Sequence, residues 1–176
     1  LPNKIGMNLF ANLKEKKKLF FKRQNIVYLL LIFIIFFFDR ITKLNIVNNY
    51  NETSYFFNDY INLNLVWNTG VGFGLLSSTS NFIYNIITGF IGLIILILLY
   101  FTITSNSKEK IIFSIIIGGA SGNFYDRIFF SAVPDFIDLH YKNFHWFTFN
   151  VADIFITLGL IALIIYSSPE KKDDKN

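Results

Sequence analysis

The chain has 176 residues, 53% of them hydrophobic and 19% aromatic, with only 16% charged and a mean hydropathy of +0.45. Soluble domains carry about 25% charged residues, so this chain lacks the charge to coat a water-facing surface, and its apolar content excludes disorder. No cysteine is present, which removes disulfides, Cys-ligated zinc, iron–sulfur clusters and any thiol nucleophile.

In chain order, four apolar blocks approach the roughly 20 residues of helix that a bilayer requires. The first runs from Ile26 to Val47 and carries Asp39, Arg40 and Lys43 in its second half. The second, Phe82 to Ile103, has no charge; the third, Ile111 to Phe130, ends with Asp126 and Arg127; the fourth, Phe149 to Tyr166, contains only Asp153. Pro2, Pro134 and Pro169 all lie outside these blocks, as helix continuity requires. The expected fold is an all-α integral membrane protein of four transmembrane helices. Residues 1–25 form a basic cytoplasmic tail, residues 26–166 the membrane domain and residues 167–176 a charged cytoplasmic tail.

The net charge of +4 has the sign for nucleic acid, but its distribution assigns it to topology. Twelve of the sixteen basic residues fall in the N-terminal tail, the Thr104 to Lys110 loop and the C-terminal tail, whereas the Asn48 to Asn81 and Ser131 to Thr148 loops hold only Lys142. Cytoplasmic segments collect Lys and Arg, so both termini are expected inside and the two longer loops outside. The basic stretch before the first block resembles a signal peptide, but Asp39 and Arg40 stand where a small-residue cleavage site would be, which makes it an uncleaved first span. Met7 is the only methionine, and residues 1–6 are read as upstream of the working protein.

Within the outer loops, Ile61 to Trp67 alternates apolar and polar residues for most of its length, the period of a half-buried strand. Tyr55, Phe56, Phe57, Tyr60 and Trp67 precede the second block, and Tyr141, Phe144, Trp146 and Phe147 precede the fourth, as befits a membrane–water boundary. A small extracytoplasmic β or amphipathic element is therefore expected.

An ionisable residue in a span costs roughly 2.5–3.5 kcal/mol on insertion scales, so each is a functional candidate. Asp126 lies about 22 Å along the third helix from Ile111, and Asp153 about 6 Å beyond Phe149, at a rise of about 1.5 Å per residue. Asp39 and Lys43 fall in the outer part of the first span, and Asp135 and Asp138 in the outer loop. The acids thus gather in one layer near the outer face, together with Asn68, Asn123 and Asn150. Gly118 and Gly122, four apart on one helical face, allow close helix–helix approach. Gly70, Gly72 and Gly74 superficially resemble a phosphate loop, but they follow no parallel strand and open no amphipathic helix; a turn admitting a substrate backbone is the better reading.

Five blocks then resemble, in order, the signature of bacterial lipoprotein signal peptidase (signal peptidase II). They are Asp39-Arg40-Ile41-Thr42-Lys43; Asn68-x-Gly70-x-Gly72-Phe73-Gly74; Gly118-Gly119-x-x-Gly122-Asn123-x-x-Asp126-Arg127; Val133-Pro134-Asp135-Phe136-Ile137-Asp138; and Phe149-Asn150-Val151-Ala152-Asp153. Gly72 departs from the family's usual Ala, and Pro134 directly before Asp135 should stiffen the approach to that carboxylate. The resemblance implies a four-span aspartic protease of the bacterial cytoplasmic (inner) membrane. It would remove signal peptides from diacylglyceryl-modified prolipoproteins, cutting before the lipid-bearing Cys. It places the catalytic pair on Asp135 and Asp153 and the substrate site on Asn68, Asn123, Arg127 and Asn150. Asp39, Lys43, Gly70, Phe73 and Asp126 take supporting roles. No cofactor, metal or nucleic acid is implied; the partners are the prolipoprotein and membrane lipids, and the expected state is a monomer. The chemistry fits the residue types, because two carboxylates sharing a proton hydrolyse a peptide as base and acid.

Plainer roles stand beside these. Asp126 and Arg127 could form an ion pair at a helix end; Arg127 leans toward substrate. Asp138 is read as a solvated loop acid ahead of a partner to the site, and Asp39 with Lys43 as a helix-stabilising i,i+4 pair. His140 and His145 match no compact zinc motif, and no Ser pairs with Lys43 as a Ser–Lys hydrolase would need. An ion-coupled carrier would want charge along a path through the membrane, and the second span has none. A non-catalytic anchor would not need two Asp on separate elements facing one layer.

Overall fold

The computed structural model describes residues 23–50, 54–70 and 81–168. Four helices form: α1 (Arg23–Asn49), α2 (Asn81–Thr104), α3 (Ser107–Phe130) and α4 (Val151–Ser167). Two of them are long and apolar enough to cross a membrane, over Asn25–Asn49 and Phe82–Thr104, and Val151–Ser167 is a shorter apolar helix. Residues 1–22 and 169–176 of the two charged tails, and Gly72, Phe73 and Gly74, lie outside the described residues.

Helix α3 is the central post, with α1, α2 and α4 packed against it. Its glycines make this possible. A Cβ on Gly118 would sit 2.7 Å from Ile35 Cβ of α1, and one on Gly119 would sit 2.5 Å from the Ala152 carbonyl of α4. A Cβ on Gly122 would collide with the Asp39 carboxylate. The glycine stripe expected to bring helices together therefore does so on two sides of α3. The helix begins with Asn106, whose side chain accepts from the Lys108 and Glu109 N–H groups, and ends at Ser131 in the left-handed region (φ 55°). Away from α3 the surface is hydrocarbon: Val27, Phe33 and Ile34 on α1, Phe82 and Phe90 on α2, and Ile164 and Ile165 on α4 are all exposed. Such continuous apolar cover suits lipid as solvent, not water.

A four-stranded antiparallel sheet, ordered β1-β2-β3-β4, caps one end of the bundle. Its strands are β1 (Tyr55–Asn58), β2 (Ile61–Asn68), β3 (Val133–Tyr141) and β4 (Phe144–Phe149). The β1–β2 turn is set by Asn58, whose side chain accepts from the Tyr60 and Ile61 N–H groups at 2.9 Å each. Strand β2 coincides with the stretch expected from alternation. The segment 131–148, expected as a loop, instead folds as the β3–β4 hairpin. Strand β3 gave no alternating signal because Val133, Pro134, Asp135 and Phe136 are all buried, so both of its faces are covered. Pairing of β3 with β4 begins only at Ile137↔Phe149, which leaves Pro134 and Asp135 unpaired on that side and makes room for a residue without an N–H. Phe149, expected in the fourth span, closes β4, and the helix starts one residue after Asn150.

Candidate active site

The site is built around a lysine with no exposed surface. Lys43 of α1 donates to Asp126 Oδ2 and Asn123 Oδ1 at 2.7 Å each and pairs with Asp39 Oδ2 at 2.9 Å. Two of the ammonium's three N–H groups are spent in hydrogen bonds, and Asp39 Oδ2 meets it as an ion pair without hydrogen-bond geometry. Asp39, one turn earlier, also accepts from the Ala152 N–H at 3.0 Å, so it satisfies one of the free N–H groups at the start of α4 and ties that helix to α1. Asp126 takes a second cation, Arg40, whose guanidinium lies 4.7 Å from the Tyr125 ring centroid. The expected Asp39–Lys43 pair is present. The Asp126–Arg127 pair is not; Asp126 turns toward α1 instead, because Lys43 and Arg40 offer it two cations there.

Asp135 and Asp153 come together across Asn150, the N-cap of α4. The Asn150 side chain donates to Asp135 Oδ1 at 2.6 Å, while its backbone N–H donates to Asp153 Oδ2 at 3.1 Å. Asn150 Oδ1 accepts from the Asp153 N–H at 3.1 Å, completing a reciprocal cap. The remaining carboxylate oxygens are met by Asn68, 2.8 Å from Asp135 Oδ2, and by Asn123, 2.8 Å from Asp153 Oδ1. Each amide is fixed in sense. Asn68 Oδ1 accepts from the Gly70 N–H at 2.8 Å and Asn123 Oδ1 accepts from Lys43, so in both the NH₂ group must face the carboxylate. All four oxygens of this pair thus meet neutral N–H donors, and neither acid has a salt bridge among the described residues.

That difference governs charge. Asp135 is 3% exposed; burial, and then the like charge of Asp153, push its carboxyl up to about 6 against the lowering hydrogen bonds from Asn68 and Asn150. A carboxyl in that range holds and releases a proton near neutral pH, as acid–base chemistry requires. Beside Asp153 opens a groove of about 230 Å³, walled by Phe147, Phe149, Ile154, Thr157 and Leu158.

Arg127, 6% exposed, donates to the Gly70 carbonyl at 2.8 Å and the Asn123 carbonyl at 3.2 Å. Its buried Nε has no partner among the described residues, which leaves one guanidinium donor for an incoming group. Gly70 is held from both sides by Arg127 and Asn68, while Phe73 lies outside the described residues. Asp138 corrects the reading of a solvated acid: it is 4% exposed within β3, 2.7 Å from His145 Nδ1. Three residues along a strand, it faces away from Asp135. The rings of His140 and His145 stack with centroids 5.3 Å apart. Two parts were missed in the sequence: Arg40 as a partner of Asp126, and Asp39 as a cap for α4. Arg40 directly follows Asp39 in the first motif and was the available signal.

Residues 31–168 match the family of signal peptidase (SPase) II. Over 145 residues the chain is 48% identical to the lipoprotein signal peptidase of Pelagibacter ubique (strain HTCC1062), covering 79% of this chain and 87% of that one. It is 44% identical over 117 residues to the lipoprotein signal peptidase of Francisella tularensis subsp. novicida (strain U112), covering 64% and 73%. A bacterial membrane enzyme solved by the in meso method at 2.3 Å shares the fold with a TM-score of 0.69 and 30% identity, over 85% of this chain and 93% of that one. The family match spans well over half of the chain and the motifs fall within it: the protein belongs to the signal peptidase II family.

Proposed function

We propose that this peptidase is a membrane-embedded aspartic enzyme that cleaves lipid-modified prolipoproteins directly before the diacylglyceryl-bearing Cys, with Asp135 and Asp153 as its catalytic pair. The observation that carries the assignment is the bridging of both carboxylates by Asn150. One carboxylate takes a proton from water as its oxygen attacks the scissile carbonyl, and the other supplies a proton to the carbonyl oxygen. Asn68, Asn123 and Asn150 hold the pair, and the free Arg127 Nε and the groove beside Asp153 offer contacts to the substrate. Asp39, Lys43, Asp126 and Gly70 keep the helices and the turn in register.

Residues 26–166 constitute the working domain in this reading, with all four helices spanning the inner membrane. The 17 residues of α4 make a helix of about 25 Å, at the short end of what crosses a hydrocarbon core. Its N-terminus would then lie close to the outer interface, where the sheet and the acids gather. Both tails are cytoplasmic by their lysines, and the enzyme acts as a monomer. A cleavage site at that depth suits a residue anchored by acyl chains. The test is cleavage of one purified lipidated precursor, with products read by mass, beside its unlipidated form. The lipidated precursor should be cut before the modified Cys and the other left intact; equal turnover of the two would overturn the reading.

A further inference from the structure

Lys43 and Asn123 do more than fill the space behind the site. A chain of two short hydrogen bonds runs from the Lys43 ammonium through the Asn123 amide, 2.7 Å on its oxygen side and 2.8 Å on its nitrogen side, to Asp153 Oδ1. A cation on the amide oxygen draws electron density from its NH₂ group and makes it a stronger donor. Asp153 is also the third residue of α4, with its carboxylate on the Asn150 N–H, where the positive end of the helix dipole favours negative charge. Asp135 lies on a strand, and its two donors are asparagine amides anchored on backbone N–H groups, Asn68 on Gly70 and Asn150 on Asp153.

We propose that Lys43, acting through Asn123, makes Asp153 the proton acceptor of the pair and leaves the resident proton on Asp135, so that Lys43 and Asn123 are positioning residues for the general base. The proposal rests on Asp135 and Asp153 being the catalytic pair. In the forward step a water proton passes to Asp153 as the water oxygen bonds to the carbonyl carbon, and the Asp135 proton passes to the carbonyl oxygen. In the collapse the Asp153 proton goes to the leaving nitrogen as the C–N bond breaks. A hydroxyl proton of the tetrahedral intermediate returns to Asp135. The charged groups around the pair are Lys43, Asp39 and Arg40 from α1 and Asp126 and Arg127 from α3. Tyr84 of α2 donates to the Arg127 carbonyl at 3.2 Å. Asp39, Asp126 and Arg40 bear on Lys43 and its cluster, while Asn123 is, among the described residues, the one side-chain amide that bonds both this cluster and the pair.

Two measurements test this on the full chain in detergent. The first follows the infrared band of a protonated carboxyl through a pH titration. A band with a midpoint near 6 should vanish in Asp135→Asn and persist in Asp153→Asn; the reverse pattern would overturn the proposal. Because this reading needs no substrate, it stands apart from whether lipidated precursor is cleaved. The second is the pH profile of kcat/KM for Asn123→Ala, which spares the ion pairs of Lys43. Losing a donor to ionised Asp153 should make that carboxylate harder to form, moving the rising limb up by about one unit and lowering kcat about tenfold or more with KM little changed. An unmoved rising limb in folded Asn123→Ala would overturn the relay, since a merely structural asparagine would lower the yield and leave that limb in place. If Asn123→Ala does not fold, the band assignment still decides where the proton resides.

Discussion

Two pairs of acids, all buried except the half-buried Asp153, share one polar layer, and Asn123 touches both. Asp39 and Asp126 are held by cations, Lys43 and Arg40. Among the described residues, Asp135 and Asp153 are held only by amide N–H groups. Paired charges of opposite sign join helices and give a proton no role, whereas two like carboxylates among neutral donors cannot both ionise easily and so share a proton that they can exchange. On the proposed reading the first pair is architecture and the second is chemistry.

The largest effects should separate the pairs by kind. Asp135→Asn and Asp153→Asn should each lower turnover of lipidated precursor by several orders of magnitude, as loss of one member of a catalytic unit does, with the protein still folded. The double variant should be scarcely worse than either single, which a turnover assay with matched folded protein will show. Asp39→Asn should act on folding: it weakens the hold on buried Lys43, and breaking a buried pair costs about 3–5 kcal/mol. Yield and thermal unfolding in detergent measure it. Gly119→Ala should follow at about 1–3 kcal/mol, because the new methyl meets the Ala152 carbonyl of α4.

The pH dependence sharpens the contrast. Asp135 has its carboxyl raised from 3.8 to about 6, so its protonated form is favoured by folding. That contribution to stability is full below about 4 and is lost as pH rises through about 6. Asp135→Asn should therefore flatten the pH dependence of the melting temperature in that window. In the wild type, kcat/KM should fall as pH rises through about 6, when the proton donor is lost, and bound substrate should move the kcat limb higher by excluding more water. Asp138→Asn should have the smallest effect, keeping most activity, because its carboxylate pairs with His145 on the far side of β3.

Much of this was legible in the residues. The α1 and α2 helices follow from apolar runs, β2 from alternation, and the glycine stripe of α3 from four-residue spacing. The hairpin of β3 and β4 was not, because a strand covered on both faces loses its period of two and Pro134 reads as a breaker. Depth along the helices put the acids in one layer, and the motifs named Asp135 and Asp153. Spacing alone could not tell which cation each acid would choose: Asp126 passes over adjacent Arg127 for Lys43 and Arg40, a decision made by helix packing. Nor could it orient the asparagines, whose sense depends on what lies behind each oxygen.

The central claim is best tested by one comparison: turnover of a lipidated precursor by Asp39→Asn, Asp126→Asn, Asp135→Asn and Asp153→Asn, each divided by its folded fraction. The account predicts that the first two keep activity per folded molecule within about tenfold of wild type while the last two fall by several orders of magnitude. A folded Asp135→Asn or Asp153→Asn enzyme that cleaves at a rate near wild type would contradict it.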